Sequence, residues 1–503
     1  MIPVLAYGRK LVLSMALLSP LWGIGQPTLI SVTQPIPQHQ LLADFDTFRR
    51  IYQTANSGLY RYRSKKNIDS VFAANRKQIR PGATVLDLYQ RLYAVTDYTG
   101  SLHSDNYLPA RIDSLLKSEV SFFPHPVKII DGALLINTTH GTLPVGSRLL
   151  AINGQHVSDV LGRLGKYATT DGYNKTGKSF LISQHFAWYY RLDYGPCSTY
   201  DLTYLAPGRT DTSRCRIPAV AYSNCQKAFA QRYSLPLEKD LPAYELTLID
   251  SLATACVTVR TFDLDHKQEK EYRRFLDSTF RLLNRRPDIR SLIVDVRQNS
   301  GGNDPNDLLL YSYLARQRFR ENKRAYTIFR NVPLPAYFVE ETAGERQELA
   351  DELRTEHYAR ARQGKYYLRT KENPRWLPNP NRFRGKLVLL IGPQTASAGS
   401  LFASLVRSDP EAVVIGEETM GGYYGHTGHE SVAYRLPYTQ IRVKFSIIDL
   451  DQDVRVLPFI PRGRGVFPDY TIKETKESFL RNHDTVLDFT LQLIKTAPGL
   501  PKR

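Results

Sequence analysis

Cysteine is scarce in this sequence, with four residues in 503. So few exclude a small domain held together by a disulfide framework. Cys197, Cys215 and Cys225 lie close enough in sequence for a bridge between two of them, whereas Cys256 falls in an apolar strand, where we expect a buried free thiol. None stands at metal-ligand spacing from a histidine. We therefore predict no zinc site and no requirement for a metal or cofactor.

Beyond the N-terminus the sequence also lacks any apolar run long enough to span a bilayer, which takes about 20 residues. The N-terminus has the basic pair Arg9-Lys10, an apolar stretch from Leu11 to Leu18 and small residues around Gly25. This order is typical of a secretory signal peptide. We predict that residues 1–25 are a signal peptide, that the chain is periplasmic or secreted, and that no transmembrane segment remains after cleavage.

Acidic residues are outnumbered, because 49 Asp and Glu face 67 Lys and Arg and leave a net charge of +18. A net positive charge of this size is common in proteins that bind nucleic acid. The basic residues, however, are spread singly and in pairs among acidic ones, and no nucleic-acid-binding motif accompanies them. We expect a solvated basic surface and no nucleic-acid partner.

Periodicity divides the rest of the chain into three parts. Apolar residues at helical spacing in residues 38–118 predict a small N-terminal helical domain, in which Thr84 caps one helix. Residues 125–220 have the short strands and turns of a β domain. Strand-then-helix units in residues 245–495 indicate an α/β core. Within that core, residues 340–384 are charged and rich in Pro, Asn and Arg, and we interpret them as an inserted surface lid or spacer.

Two apolar strands of the predicted core end in turns that favour acyl-transfer chemistry. The first ends in the pair Gly301-Gly302, and the second ends at Ser397, where a helix of small residues begins. A serine on such a strand-to-helix turn is exposed as a nucleophile, and the N–H of Ala398 faces the same space. Because glycine has no Cβ, the paired-glycine turn can bring a second backbone N–H close, which makes an oxyanion hole.

The motifs around these residues resemble those of the C-terminal processing (tail-specific) peptidases and their tricorn-core relatives. In chain order they are Asp295-Val-Arg-Gln-Asn-Ser-Gly-Gly302, Thr395-Ala-Ser-Ala398, Gly416-Glu-Glu-Thr-Met-Gly-Gly422 and Gly465-Val-Phe-Pro-Asp469. The resemblance covers most of the chain and implies an α/β core of the crotonase/protease-core type, a β-β-α spiral, preceded by the helical domain and a PDZ-like β domain. There, the segment from Pro144 to Gly154 resembles the central PDZ-like signature of a turn, a strand and an Asn-Gly hairpin turn.

The resemblance also implies which residue activates the serine. In the processing branch a catalytic lysine follows the third motif, but this chain has Gly422 at that position, which excludes a Ser-Lys mechanism. The tricorn-like branch uses a histidine supplied from before the PDZ-like domain, and His103 occupies that place. His426 and His429, in the glycine-rich loop after the third motif, are the alternatives.

An acid that orients the histidine would complete the site. Relatives place a glutamate shortly before the last motif, where this chain has Arg462. Asp451 and Asp453 are then candidates for the orienting acid, while Asp469 is better explained as a structural turn residue. Ser400 also replaces a glutamate that is common in the family after the nucleophile.

These residues predict an exported serine endopeptidase that cleaves polypeptide substrates. Ser397 is the predicted nucleophile and His103 the predicted base. The oxyanion hole is predicted to consist of the N–H groups of Ala398 and of Gly301 or Gly302. The alternative is a non-catalytic peptide- or ligand-binding protein on the same fold. The lack of an assigned acid to orient the histidine favours this alternative.

Overall fold

The structure, a computed structural model, describes residues 31–234 and 241–496. The predicted signal peptide, residues 1–25, lies outside these described residues. Within them, no helix is both long and apolar enough to cross a membrane. All four cysteines are free thiols, so the bridge left open among Cys197, Cys215 and Cys225 is not formed, and Cys256 is buried as expected.

Four helices and one short strand form the N-terminal part. They are α1 (Gln38–Ala55), α2 (Lys65–Arg76), α3 (Val85–Thr99), β1 (Ser104–Tyr107) and α4 (Ala110–Ser118). The predicted cap of α3 is confirmed, because the side chains of Thr84 and Asp87 each accept the backbone N–H of the other. α3 ends at Gly100, which has a left-handed φ of 75°. The chain turns there into the segment that carries His103.

The next part combines antiparallel strands with three helices. They are β2 (Val120–Phe122), β3 (Val127–Ile130), β4 (Ala133–Ile136), β5 (Arg148–Ile152), β6 (Gln155–His156), α5 (Val157–Leu164), α6 (Thr176–Tyr194), β7 (Thr199–Leu205), β8 (Ser213–Pro218), β9 (Val220–Ala221) and α7 (Tyr222–Ala230). β3, β4, β5, β7 and β8 pair in that order, β6 pairs with β5, and β2 pairs with β9. The predicted hairpin turn joins β5 to β6, with φ of 49° at Asn153 and 77° at Gly154.

The sequence analysis missed the helix α6 in this part. Its 19 residues mix apolar and polar side chains around the helix axis, so they show no helical periodicity. The helix packs against β3, and the Ser183 hydroxyl accepts the N–H of Ile129 over 3.0 Å. The predicted β domain is therefore an antiparallel sheet with a helix across one edge.

Two sheets form the remaining core. Its strands are β10 (Tyr244–Ile249), β11 (Thr254–Val259), β12 (Ser291–Asp295), β13 (Asn322–Thr327), β14 (Tyr366–Tyr367), β15 (Lys386–Ile391), β16 (Val413–Gly416), β17 (Thr427–Arg435), β18 (Arg442–Gln452) and β19 (Tyr470–Thr471). Its helices are α8 (His266–Asn284), α9 (Asn306–Ser312), α10 (Glu345–Glu356), α11 (Ala398–Ser408), α12 (Lys476–Arg481) and α13 (Thr485–Thr496).

The first core sheet brings the two predicted turns together. Its strand order is β10-β11-β12-β15-β16-β19, and all pairs but β10–β11 are parallel. Parallel strands are covered on both faces, which explains why β12 and β15 are continuous apolar runs. Asp295 pairs with Leu390 at the carboxyl ends of these two strands. The glycine turn and the serine turn therefore leave the same edge of the sheet side by side.

The second core sheet connects the N-terminal part to this edge. β18 pairs with β17 along one side and with β1 and β13 along the other, and all these pairs are antiparallel. Because β1 follows His103 directly, its pairing with β18 fixes the position of that histidine. Residues 340–384, interpreted as a surface lid or spacer, are mostly exposed or half-buried. They are anchored to the core, because Leu349 and Leu353 of α10 are buried and β14 pairs with β13.

Candidate active site

Ser397 stands between β15 and α11 in a strained backbone conformation. Its φ and ψ are 49° and −130°, a combination that persists in a residue other than glycine only where the surroundings enforce it. The Thr395 hydroxyl donates to the Val296 carbonyl over 2.8 Å, and the Ala396 N–H donates to the Asn299 carbonyl over 3.1 Å. These bonds fix the serine turn to the glycine turn.

The glycine turn packs where no side chain would fit. A Cβ on Gly301 would lie 2.6 Å from the Cβ of Ser397, and one on Gly302 would lie 1.9 Å from a backbone nitrogen. The Gly301 N–H donates to the Asn299 side chain over 2.9 Å, so it is not available to an oxyanion, which corrects one predicted donor. The Gly302 N–H donates to no atom of residues 31–234 or 241–496. It remains a donor, together with Ala398, which as the first residue of α11 has no preceding turn to accept its N–H.

The structure brings His103 to the serine. Its Nε2 lies 3.0 Å from the Ser397 Oγ. The His103 N–H donates to the Ser101 hydroxyl over 3.3 Å, and its carbonyl accepts from the Ser446 N–H over 3.2 Å. The ring is thus held by the turn after α3 and by β18. This distance is within hydrogen-bond reach, as a serine and its general base require.

The environment of His103 favours its neutral form. Burial, and then the positive charge of His429, lower its pKa to about 4, while the Thr427 backbone opposes this shift in part. The Nδ1 atom is enclosed and makes no hydrogen bond of ordinary geometry with any described residue. Near neutral pH the imidazole is therefore uncharged and can accept a proton from the serine.

Neither candidate for the orienting acid reaches this histidine. Asp451 accepts from Arg61 over 3.0 Å, and Asp453 accepts from Arg320 over 2.8 Å. Both carboxylates are committed to arginines, and neither is hydrogen bonded to His103. The prediction of these two acids is wrong, because side chains from other elements neutralise them.

Asp469 and Ser400 have structural partners. The Asp469 carboxylate lies 2.9 Å from the buried Arg407 guanidinium and accepts the Val414 N–H over 2.8 Å. The Ser400 hydroxyl donates to the Ser397 carbonyl over 2.8 Å and is buried in α11. Ser400 therefore supports the turn from inside and does not face a substrate.

The first alternative base, His426, packs against His103 instead of the serine. The two ring centroids lie 4.8 Å apart with the planes inclined by 38°. Burial, and then the charges of His103, Arg61 and His429, lower the pKa of His426 well below its ordinary value. A buried imidazole in this position shapes the pocket around His103.

Asp171 is a site residue that the sequence analysis missed. Its carboxylate accepts the Leu102 N–H over 3.1 Å and the Gly422 N–H over 3.0 Å, and it lies 3.7 Å from His426. Burial raises the pKa of Asp171 to about 7. It ties the residue before His103 to the active-site loop. In sequence it precedes Gly172, and an Asp-Gly pair by itself indicates only a turn.

The second alternative base, His429, belongs to a separate cluster. Its Nδ1 lies 3.0 Å from Asp304 and its Nε2 lies 3.4 Å from Glu321. The three side chains offer ligand atoms within 4.8 Å of one another, and in the described part of the chain this is the one such group that could hold a metal ion. Because both ring nitrogens face carboxylates, His429 is not free to act on Ser397.

A cavity of about 970 Å³ adjoins the site. Leu102 and Met420 line it, and the first of these is the neighbour of His103. Six tyrosines and Trp188 form part of the remaining wall, which also includes charged residues such as Asp105 and Arg435. The size of the cavity is that of a ligand site.

Residues 253–437 match the model of Peptidase family S41. No curated protein shows significant sequence similarity to this chain. The crystal structure of mature CPAF gives a TM-score of 0.59 at 14% identity, covering 93% of this chain and 99% of that chain. A CPAF mutant gives 0.61 at 12% identity, covering 91% and 96%. At these identities the similarity shows a shared fold, here a mixed α/β fold.

The family match contains both the glycine turn and Ser397, whereas His103 precedes it. The match thus covers the two turns that hold the candidate nucleophile and the candidate backbone donors. Over residues 253–437 the chain matches peptidase family S41, and it is a serine-type peptidase.

Proposed function

We propose that this chain is an exported serine endopeptidase that works with a Ser397–His103 pair. Ser397 Oγ attacks the scissile carbonyl while His103 Nε2 takes its proton, and the N–H groups of Ala398 and Gly302 donate to the oxyanion. His103 then protonates the leaving amine. Water, deprotonated by the same histidine, hydrolyses the acyl-enzyme.

The observation that carries this proposal is the 3.0 Å separation of His103 Nε2 and Ser397 Oγ. The two residues are 294 positions apart. Ser397 follows β15 of the first core sheet, whereas His103 precedes β1 of the second. A hydrogen bond between a strained serine and a neutral imidazole has no evident structural purpose. It is, however, what proton transfer from the nucleophile requires.

The alternative, a non-catalytic peptide-binding protein, is favoured by one observation. The Nδ1 of His103 has no carboxylate partner among the described residues, and such a partner normally stabilises the imidazolium that forms during the reaction. A pair without the acid is expected to be slower than a full triad.

A fluorophosphonate probe on purified protein distinguishes the two functions. Wild-type protein should be labelled on Ser397 and should cleave casein. Ser397→Ala should lose both activities, while Ser400→Ala should keep them, since Ser400 faces the interior. A wild-type protein that binds peptides but is neither labelled nor active would establish the binding-protein alternative.

The proposed substrates are polypeptides whose side chains enter the cavity beside Leu102 and Met420. The sheet of β3, β4, β5, β7 and β8 is proposed to act as a PDZ-like module, which adds an extended peptide as a further strand. β8 is an end strand of this sheet in the described part of the chain. A peptide on that edge would be held by backbone hydrogen bonds.

Proline at either of two successive residues of β8 tests the module. Successive N–H groups of a strand point to opposite edges, so Arg214→Pro and Cys215→Pro differ in which edge loses its donor. The variant that retains the wild-type melting temperature should cleave long polypeptides more slowly but short peptides normally. If the rate of the variant relative to wild type is the same for long and short substrates, the sheet has a structural role only.

Export is proposed from the order of basic, apolar and small residues before Gln26. N-terminal sequencing of protein recovered from the cell envelope or medium should find a start near that residue. An intact Met1 on protein in the cytoplasmic fraction would contradict it.

A further inference from the structure

Three ligand-type side chains from separate parts of the core converge behind the glycine turn. Asp304 follows the turn, Glu321 immediately precedes β13, and His429 comes from β17. Their ligand atoms all lie within 4.8 Å of one another. The side chains are 38%, 13% and 27% exposed, in that order, so a small ion could reach them from solvent.

The backbone of β17 is distorted where it presents its histidine. The pairing of β17 with β18 shifts register between Gly428 and Ser431, and His429 has a φ of 55°. A bulge of this kind turns one side chain away from the regular alternation of the strand. Here the side chain meets the two carboxylates.

A third acid, three residues beyond Asp304, is buried without a side-chain partner. Asp307 has no exposed surface, and neither of its carboxylate oxygens is hydrogen bonded to a described residue. Unpartnered buried carboxylates are costly unless a proton or a cation compensates them.

The charges in this group do not balance. Two carboxylates, those of Asp304 and Glu321, face one imidazole, which leaves a negative sum even when His429 carries a proton. A divalent cation would neutralise the group more completely than that single proton.

We propose that Asp304, Glu321 and His429 bind a divalent first-row metal ion, with Asp307 as a buried carboxyl group beside it. Two carboxylates and one imidazole form a mixed oxygen-and-nitrogen ligand set that suits Mn²⁺ or Zn²⁺. Asp304 lies two residues beyond Gly302, so the ion would tether the oxyanion turn to β13 and β17. The site is distinct from the Ser397–His103 pair and does not depend on the proposed peptidase mechanism.

Mn²⁺ is the appropriate probe, because the four free cysteines would compete for Zn²⁺. Full-length protein stripped with a chelator is titrated with Mn²⁺ and followed by electron paramagnetic resonance. We expect one bound ion per chain, spin-echo modulation from an imidazole nitrogen, and a melting temperature that rises with Mn²⁺ concentration. The Ser397→Ala protein should bind Mn²⁺ as tightly as wild type.

Conservative variants locate the ion. Asp304→Asn, Glu321→Gln and His429→Gln should each weaken Mn²⁺ binding by at least about tenfold, and Asp307→Asn by about 10–100-fold. His266→Gln is the matched control, because His266 pairs with Glu269 on the surface without a third ligand, and it should not change binding. No Mn²⁺ bound by wild type, binding without nitrogen modulation, or binding that survives His429→Gln would each overturn the proposal. If His429 serves only as an imidazolium between two acids, the first of these results is expected.

Discussion

The imidazole rings of His103 and His426 lie against each other, with centroids 4.8 Å apart. Both rings are in surroundings that disfavour the imidazolium, and a positive charge on His103 further lowers the pKa of His426. His103 alone faces Ser397 Oγ. The pair therefore consists of one imidazole that reaches Ser397 and one buried imidazole that packs against it.

Removal of His103 should leave the serine without a base. For His103→Ala we expect kcat/KM to fall by on the order of 10⁴ or more, with a nearly unchanged melting temperature. Casein cleavage and fluorophosphonate labelling measure the loss, and His266→Ala, at an exposed histidine, serves as the control. If His103→Ala cleaves casein normally while His426→Ala or His429→Ala is inactive, the base is one of those two histidines and not His103.

The pH dependence should follow from the neutral state of His103. With a pKa of about 4, against an ordinary value of about 6.5, the ring stays neutral until the pH falls well below 6. The rate of fluorophosphonate labelling should thus persist in mildly acidic buffer and decline only toward pH 4. Because the unfolded chain takes this proton first, stability should also fall between pH 6.5 and pH 4. A decline centred near pH 6.5 to 7 that persists in Asp171→Asn would contradict this assignment.

Gly301 should tolerate no side chain. In Gly301→Ala the new Cβ would lie 2.6 Å from the Ser397 Cβ at a φ of 109°, so the serine turn must move. We expect kcat/KM to fall by about 100-fold, since a displacement near 1 Å can have that effect. Gly132→Ala is the control: it has a φ of 76° and open space around the Cβ, so it should cost about 1 kcal/mol of stability and no activity. Equal activity of the two variants would show that the close packing is unimportant.

Asp171 should act by positioning the loops around His103. Asp171→Asn keeps the size but replaces one acceptor oxygen with a donor, so one of the N–H groups of Leu102 and Gly422 loses its partner. We expect a loss of about 1–3 kcal/mol in unfolding free energy and a fall in kcat of about 10–100-fold. Because the pKa of Asp171 is about 7, any change in rate near neutral pH should disappear in this variant. If kcat and the pH profile of the variant are unchanged, Asp171 has only a structural role in the core.

The cavity should control substrate binding and not the reaction of the serine with a small probe. Ala110 is exposed and lines it, so Ala110→Trp should fill part of its volume without disturbing the core. We expect KM for polypeptides to rise about tenfold while fluorophosphonate labelling is unchanged. Ala74→Trp, an exposed position of α2, is the matched control. An unchanged KM would exclude this cavity as the substrate site.

Local sequence was sufficient for the features that depend on neighbouring residues. The apolar runs of β12 and β15, the cap at Thr84 and the hairpin turn at Asn153 and Gly154 all follow from periodicity or from backbone preferences. The helix α6 was missed because its apolar residues do not follow one face. His103 was singled out by its place in a family pattern, with two other histidines left open.

Tertiary structure decided what depends on contacts between distant residues. By sequence alone Asp451 and Asp453 are plausible orienting acids, but in the structure they accept hydrogen bonds from Arg61 and Arg320. By sequence alone Gly301 and Gly302 are equivalent donors, but in the structure the Gly301 N–H donates to the Asn299 side chain. The sequence by itself determined the serine turn, the glycine turn and the absence of the catalytic lysine. Which acid, which histidine and which N–H meet in space depends on packing among separate strands, which no local pattern encodes.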